Sequence, residues 1–138
     1  MENSKRAQAK SGFALIEIIV AVMIIGIMFG MGYGALKYVQ RARITKTQAK
    51  LQEIQTDIRS YEANTSEYPS KIEDLVSRPA NVKGWAGPYA EENELKDAWN
   101  NEIQYQRNSK GSKKAYELYS YGPKGAEATE SDYIRSEI

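Results

Sequence analysis

Cysteine and histidine are both absent from the 138 residues. Their absence excludes thiol nucleophiles, disulfide staples, zinc sites built on Cys and His, and a Ser-His-Asp triad. An excess of one charge is missing too. The 19 Lys and Arg against 18 Asp and Glu leave a net charge of +1, so no polyelectrolyte signal points to nucleic acid. A mean hydropathy of −0.62 excludes a multi-span membrane protein. The length allows one modest domain with an appended segment.

What is present is unevenly placed. Residues 1–12 carry a net +2, residues 13–34 a single charge at Glu17, residues 35–50 a net +5, and residues 51–138 a net −5. Phe13 to Met31 reads FALIEIIVAVMIIGIMFGM. At about 1.5 Å per residue this run reaches across a bilayer core. It lacks the polar stripe of a soluble core helix, and about a hundred following residues are too few to wrap it.

Three readings of this N-terminus compete. One is a cleaved secretory signal, with Gly32 and Gly34 as small residues before a cut at Ala35. The second is a permanent signal anchor. The third is a leader cut on the cytoplasmic side, before the apolar run. Glu17 favours the third. A carboxylate inside an apolar span costs about 2.5–3.5 kcal/mol near a helix centre, less near its end. A signal peptide gains nothing from it. A cut after Gly12 would free the Phe13 amine, and a neighbour's amine could then pair with Glu17 at low dielectric.

Beyond the span, Ile44, Leu51 and Ile58 recur every seven residues, interleaved with Ile54 and Tyr61. This is one apolar stripe on an amphipathic helix. No Pro interrupts residues 13–62, so one long helix is expected, ending near Asn64. Gly26, Gly30, Gly32 and Gly34 weaken it by up to about 1 kcal/mol each, and allow bending or close helix packing. The basic face at 37–50 suits lipid headgroups, neighbouring acidic heads or plain solvation. Ser70 and Glu73 predict a capping box opening a short helix over 71–77, stopped by Pro79. Residues 80–102 read as a loop anchored by Trp85 and Trp99. Residues 103–107 and 116–121 alternate as strands around a turn at 108–114. The tail 126–138 reads as a loop pinned by Tyr133 and Ile134.

Lys10-Ser11-Gly12-Phe13-Ala14-Leu15-Ile16-Glu17 resembles a prepilin leader junction, with Ala14 in place of the usual Thr. Glu67-Tyr68-Pro69, Asp97-Ala98-Trp99-Asn100-Asn101-Glu102-Ile103 and Ser120-Tyr121-Gly122-Pro123-Lys124-Gly125 resemble the major pseudopilins of type II secretion, the protein G family. The resemblance implies an α+β, type IV pilin-like fold: a long N-terminal helix, its first half transmembrane, packed on a small C-terminal antiparallel sheet. It implies a leader at 1–12, a transmembrane half at 13–34, an amphipathic periplasmic half at 35–64 and a globular head at 65–138. A prepilin peptidase would cut between Gly12 and Phe13 and methylate the Phe13 amine, and Glu17 would serve assembly.

The implied function is structural: polymerisation into a periplasmic pseudopilus that drives export across the outer membrane. The implied location is the inner membrane, single pass, head in the periplasm. The implied partners are further copies of the chain, minor pseudopilins, the peptidase, an inner-membrane assembly platform and the lipid bilayer, with no nucleic acid. A bare count of Lys and Arg, three before the span and five after, would orient it the other way. The leader junction is the more specific signal.

The family's final loop binds calcium through an Asp in Gly-Pro-Asp-Gly and a later Asp pair. The equivalent loop here carries Ser120, Lys124, Ser131 and Asp132. Two of three carboxylates are gone and one is a cation, whereas calcium takes six to eight oxygens. No metal or other cofactor is therefore expected, and Lys124 is expected to tie Asp132, Ser131 or loop carbonyls in the ion's place. Other readings are a type IV pilin or competence pseudopilin, and a membrane-anchored periplasmic binding module with a tyrosine-rich head. Asp97, Glu102 and Glu117 offer carboxylates, but nothing fixes a catalytic pair, so no enzyme is expected.

Overall fold

The computed structural model describes residues 2–136, with the backbone alone for residues 2–12 and Tyr33. The chain divides into two compact units, Met1–Gln40 and Arg41–Ile138. One helix, α1, runs Glu2–Thr65.

In the first unit Gly26, Gly30, Gly32 and Gly34 do not interrupt α1. A Cβ at any of them would meet nothing within 4 Å. Among the described residues, packing therefore does not require these glycines, and the surface beside them has room for another helix.

In the second unit the expected stripe becomes the core. Leu51, Ile54, Ile58 and Tyr61 are buried against Leu75, Leu95, Ile103, Tyr116 and Leu118. Each fully buried Leu or Ile contributes about 1.5–3 kcal/mol. Ile44 is half-buried, and Thr47 and Gln55 complete the buried face. α1 stops where Ser66 turns left-handed at φ 61, its N–H still donating to the Glu62 carbonyl at 2.7 Å. Gly84, at φ +80, lies against this end; a Cβ there would collide with the Asn64 carbonyl.

The sheet is small and antiparallel, in the order β1-β2-β3. β1 (Gln104–Arg107) pairs β2 (Tyr116–Ser120) from Gln104↔Tyr119 to Arg107↔Tyr116. Tyr116, Leu118 and Ser120 point inward along β2, and Glu117 points out. β3 (Ile134–Arg135) pairs the end of β2 through Ser120↔Ile134. The tail read as a loop thus adds a third strand. Two residues are too few to show alternation in sequence.

The expected helix at 71–77 is a single 3-10 turn, Ile72–Leu75. Ser70 and Glu73 do not form its capping box. The turn starts later, so Asp74 is the acid at its third position, and Asp74 Oδ2 accepts the Ser70 and Lys71 N–H groups at 2.9 and 3.2 Å. The 80–102 loop contains a second 3-10 turn, Glu92–Leu95. The Lys50 ammonium donates to the Asn93 and Lys96 carbonyls at its C-terminal end, at 3.3 and 2.9 Å. Trp85 anchors the loop as expected, its indole donating to the Asp74 carbonyl at 2.9 Å.

Candidate functional site

Two regions carry the chemistry that the sequence singles out. The first is the apolar stem. From Phe13 to Met31 every large apolar side chain is exposed, Phe13 at 78%, and Glu17 is exposed among them. A contiguous apolar surface of this extent is unstable in water and marks a membrane or a partner. The length and composition of the segment suffice to cross a bilayer. Gly12 lies in α1, directly before Phe13; the leader side chains of residues 2–12 lie outside the described ones.

The second region is the loop after β2. Its base is a buried hub at Asp97. One carboxylate oxygen accepts the Trp99 and Asn101 N–H groups, both at 2.9 Å. The other accepts the Ser120 hydroxyl at 2.6 Å. The Ser120 hydroxyl in turn accepts the Gly122 N–H at 2.9 Å, and the Asn101 amide donates to the Gly122 carbonyl at 3.3 Å. Thr47 on α1 accepts the Ala98 N–H at 3.2 Å. The hub therefore ties the helix, the 97–101 loop and the end of β2 together. Sequence reading offered Asp97 as the first residue of a family motif and as a loose carboxylate, without its partners. Its network depends on three segments far apart in the chain. Glu102 and Glu117 are exposed.

The rim of the loop is closed by Asp132. Its Oδ1 accepts the Lys124 ammonium at 2.8 Å. Its Oδ2 accepts the Thr129 N–H at 3.0 Å and the Thr129 hydroxyl at 2.8 Å. These donors, Lys124 foremost and then Thr129, hold the carboxyl down at about 2. Ser131 shares a hydrogen bond with Thr129 at 2.9 Å. Of Ser120, Lys124, Ser131 and Asp132, Lys124 and Asp132 meet directly. Ser131 joins them through Thr129, which sequence reading missed. Ser120 belongs to the Asp97 hub instead. The donor set suits a divalent cation badly: its one carboxylate has both oxygens engaged, beside an ammonium.

Behind this loop three tyrosines pack together. Tyr119 stacks on Tyr133 at 4.7 Å between ring centroids, and Tyr121 meets Tyr133 edge-on at 5.3 Å. This explains how Tyr133 pins the tail.

The family description "Type II secretion system (T2SS), protein G" matches residues 35–136. The chain belongs to the type II secretion system protein G family. A second description, "Prokaryotic N-terminal methylation motif", matches residues 8–33. The chain is 32% identical over 117 residues to the type II secretion system core protein G of Xanthomonas campestris, covering 84% of this chain and 80% of that protein. It is 30% identical over 125 residues to the core protein G of Pseudomonas aeruginosa, covering 86% and 87%. In fold it is similar to the crystal structure of the major pseudopilin from the type 2 secretion system of enterohaemorrhagic Escherichia coli. That likeness has a TM-score of 0.58 at 20% identity, over 71% of this chain and 89% of the other. As a member of the protein G family, the chain is a pseudopilus subunit of type II secretion.

Proposed function

We propose that residues 13–34 root the chain in the inner membrane with the head in the periplasm, and that the chain polymerises there by packing its stems together. The observation that carries this reading is the exposed apolar run from Phe13 to Met31, its one charge at Glu17. Lipid covers that run before assembly, and neighbouring stems cover it afterwards. The leader junction supports cleavage between Gly12 and Phe13 by a prepilin peptidase, with methylation of the new amine. Glu17 then fixes register by pairing with a neighbour's N-terminus. Extension of the polymer, from an inner-membrane platform and together with minor pseudopilins, drives protein export through the outer membrane. The role is mechanical.

The head closes its last loop without calcium. The Lys124 ammonium supplies the positive charge to Asp132.

Glu17→Ala in the full chain tests the reading. Polymer recovered from the membrane fraction is lost while the head keeps its wild-type melting temperature. Unchanged polymer yield in Glu17→Ala would contradict the register role.

A further inference from the structure

The head has two charged flanks that the chain does not itself neutralise. On one, Glu53 and Asp57 stand one turn apart on α1, an unfavourable spacing for like charges. Burial, then Glu53, then Glu94 raise the Asp57 carboxyl to about 6. Lys50 and Lys96 belong to this flank as well, but the Lys50 ammonium is held by backbone carbonyls. The other flank is a cleft of about 1040 Å³ between the end of α1 and the β1–β2 turn. Arg59, Arg107, Lys110, Lys113 and Lys114 line it, with Glu67 as the one acid. Among the described residues the ion pairs are Lys124–Asp132 and Arg135–Glu130, so none of these five cations has a carboxylate partner.

Helix geometry separates the flanks. At 3.6 residues per turn, Asp57 and Arg59 point roughly 200° apart, with the buried Ile58 between them turned to the core.

We propose that the basic cleft receives the Glu53–Asp57–Glu94 face of a second copy of this chain. This rests on the reading of the chain as a polymerising subunit. Charge complementarity selects the occupant: the cleft sets five cations against Glu67 alone, and the opposite flank offers three carboxylates without a full complement of cations. The placement supports it too. Unlike surfaces on opposite flanks make a heterologous contact, which leaves one free face at each end and propagates as a filament. The repulsion between Glu53 and Asp57 is then relieved only in the polymer.

The chain has no native cysteine, so introduced thiols report alone. The experiment uses the full chain in membranes where the wild type polymerises. A short bismaleimide on Asp57→Cys/Lys113→Cys gives a ladder of covalent multimers, and each single variant gives none beyond a dimer. Arg59→Glu/Lys113→Glu lowers polymer yield at least about tenfold through like-charge contact, with the melting temperature of the head unchanged. Adding Glu53→Lys/Asp57→Lys restores the yield. Wild-type polymer with no ladder and no effect of charge reversal overturns the contact while leaving the filament reading intact. Unchanged polymer in Arg59→Glu/Lys113→Glu, with loss of head binding to phosphatidylglycerol vesicles, also overturns it and assigns the cleft to a lipid surface. A wild-type chain that forms no polymer overturns both.

Discussion

Lys124 and Asp132 lie eight residues apart in the chain and 2.8 Å apart at their charged tips. The contact closes the loop after β2 with charges carried by the chain itself. Lys124→Ala is expected to lower the melting temperature of the head, and Lys110→Ala, in the solvated β1–β2 turn, to leave it unchanged. Asp132→Ala lowers it further, because Asp132 also accepts two hydrogen bonds from Thr129. Added calcium leaves the wild-type melting temperature where it was. A rise of several degrees with calcium would contradict the clasp.

The Asp97 hub gives a larger effect. Asp97→Ala strands the Ser120 hydroxyl and the Trp99 and Asn101 N–H groups in a buried setting. The expected loss is about 1.5–3 kcal/mol or more, read by urea unfolding of the head. Ser120→Ala removes one of these partners and costs less.

Asp57 makes a pH prediction. Its carboxyl is raised from 3.8 to about 6 in the folded head. Below 3.8 both states hold the proton and Asp57 contributes no difference. Between 3.8 and 6 the unfolded chain releases the proton while the folded chain keeps it, so stability falls as pH rises. Above 6 the full cost of this half-buried charge is present. Asp57→Asn is therefore expected to match the wild type at about pH 3.5 and to melt higher at pH 7. Equal melting curves at pH 7 would contradict the account.

Backbone and core predictions follow from the end of α1. Gly84→Ala places a Cβ against the Asn64 carbonyl at a positive φ, with an expected cost of about 1–3 kcal/mol. Ile58→Ala opens the center of the core, where Ile58 is fully buried, at about 2–5 kcal/mol. Chemical denaturation measures both.

These sites differ in how far sequence exposes them. The Leu51–Ile58 stripe and the Tyr116–Ser120 alternation are long enough for periodicity to speak, and the structure buries those faces. The end of α1 falls at Thr65, one residue past the expected Asn64. β3 escaped because its two residues are positioned by pairing with Tyr119 and Ser120, a long-range contact without a local signature. The Asp74 cap escaped because the turn starts one residue later than the Ser70 reading, with Lys71 as its first cap, which moves the third-position acid from Glu73 to Asp74. The loop departures at Lys124 and Ser131 were legible only against the family pattern. Which group Lys124 meets required the fold of residues 122–132.

Intact mass with N-terminal sequencing of the protein taken from its native membrane decides whether the apolar stem is kept for a filament. The expected chain has lost residues 1–12 and begins at N-methylated Phe13. A chain beginning at Ala35 would contradict it: the apolar stem would be gone, and neither Glu17 nor the exposed helix could take part in a filament.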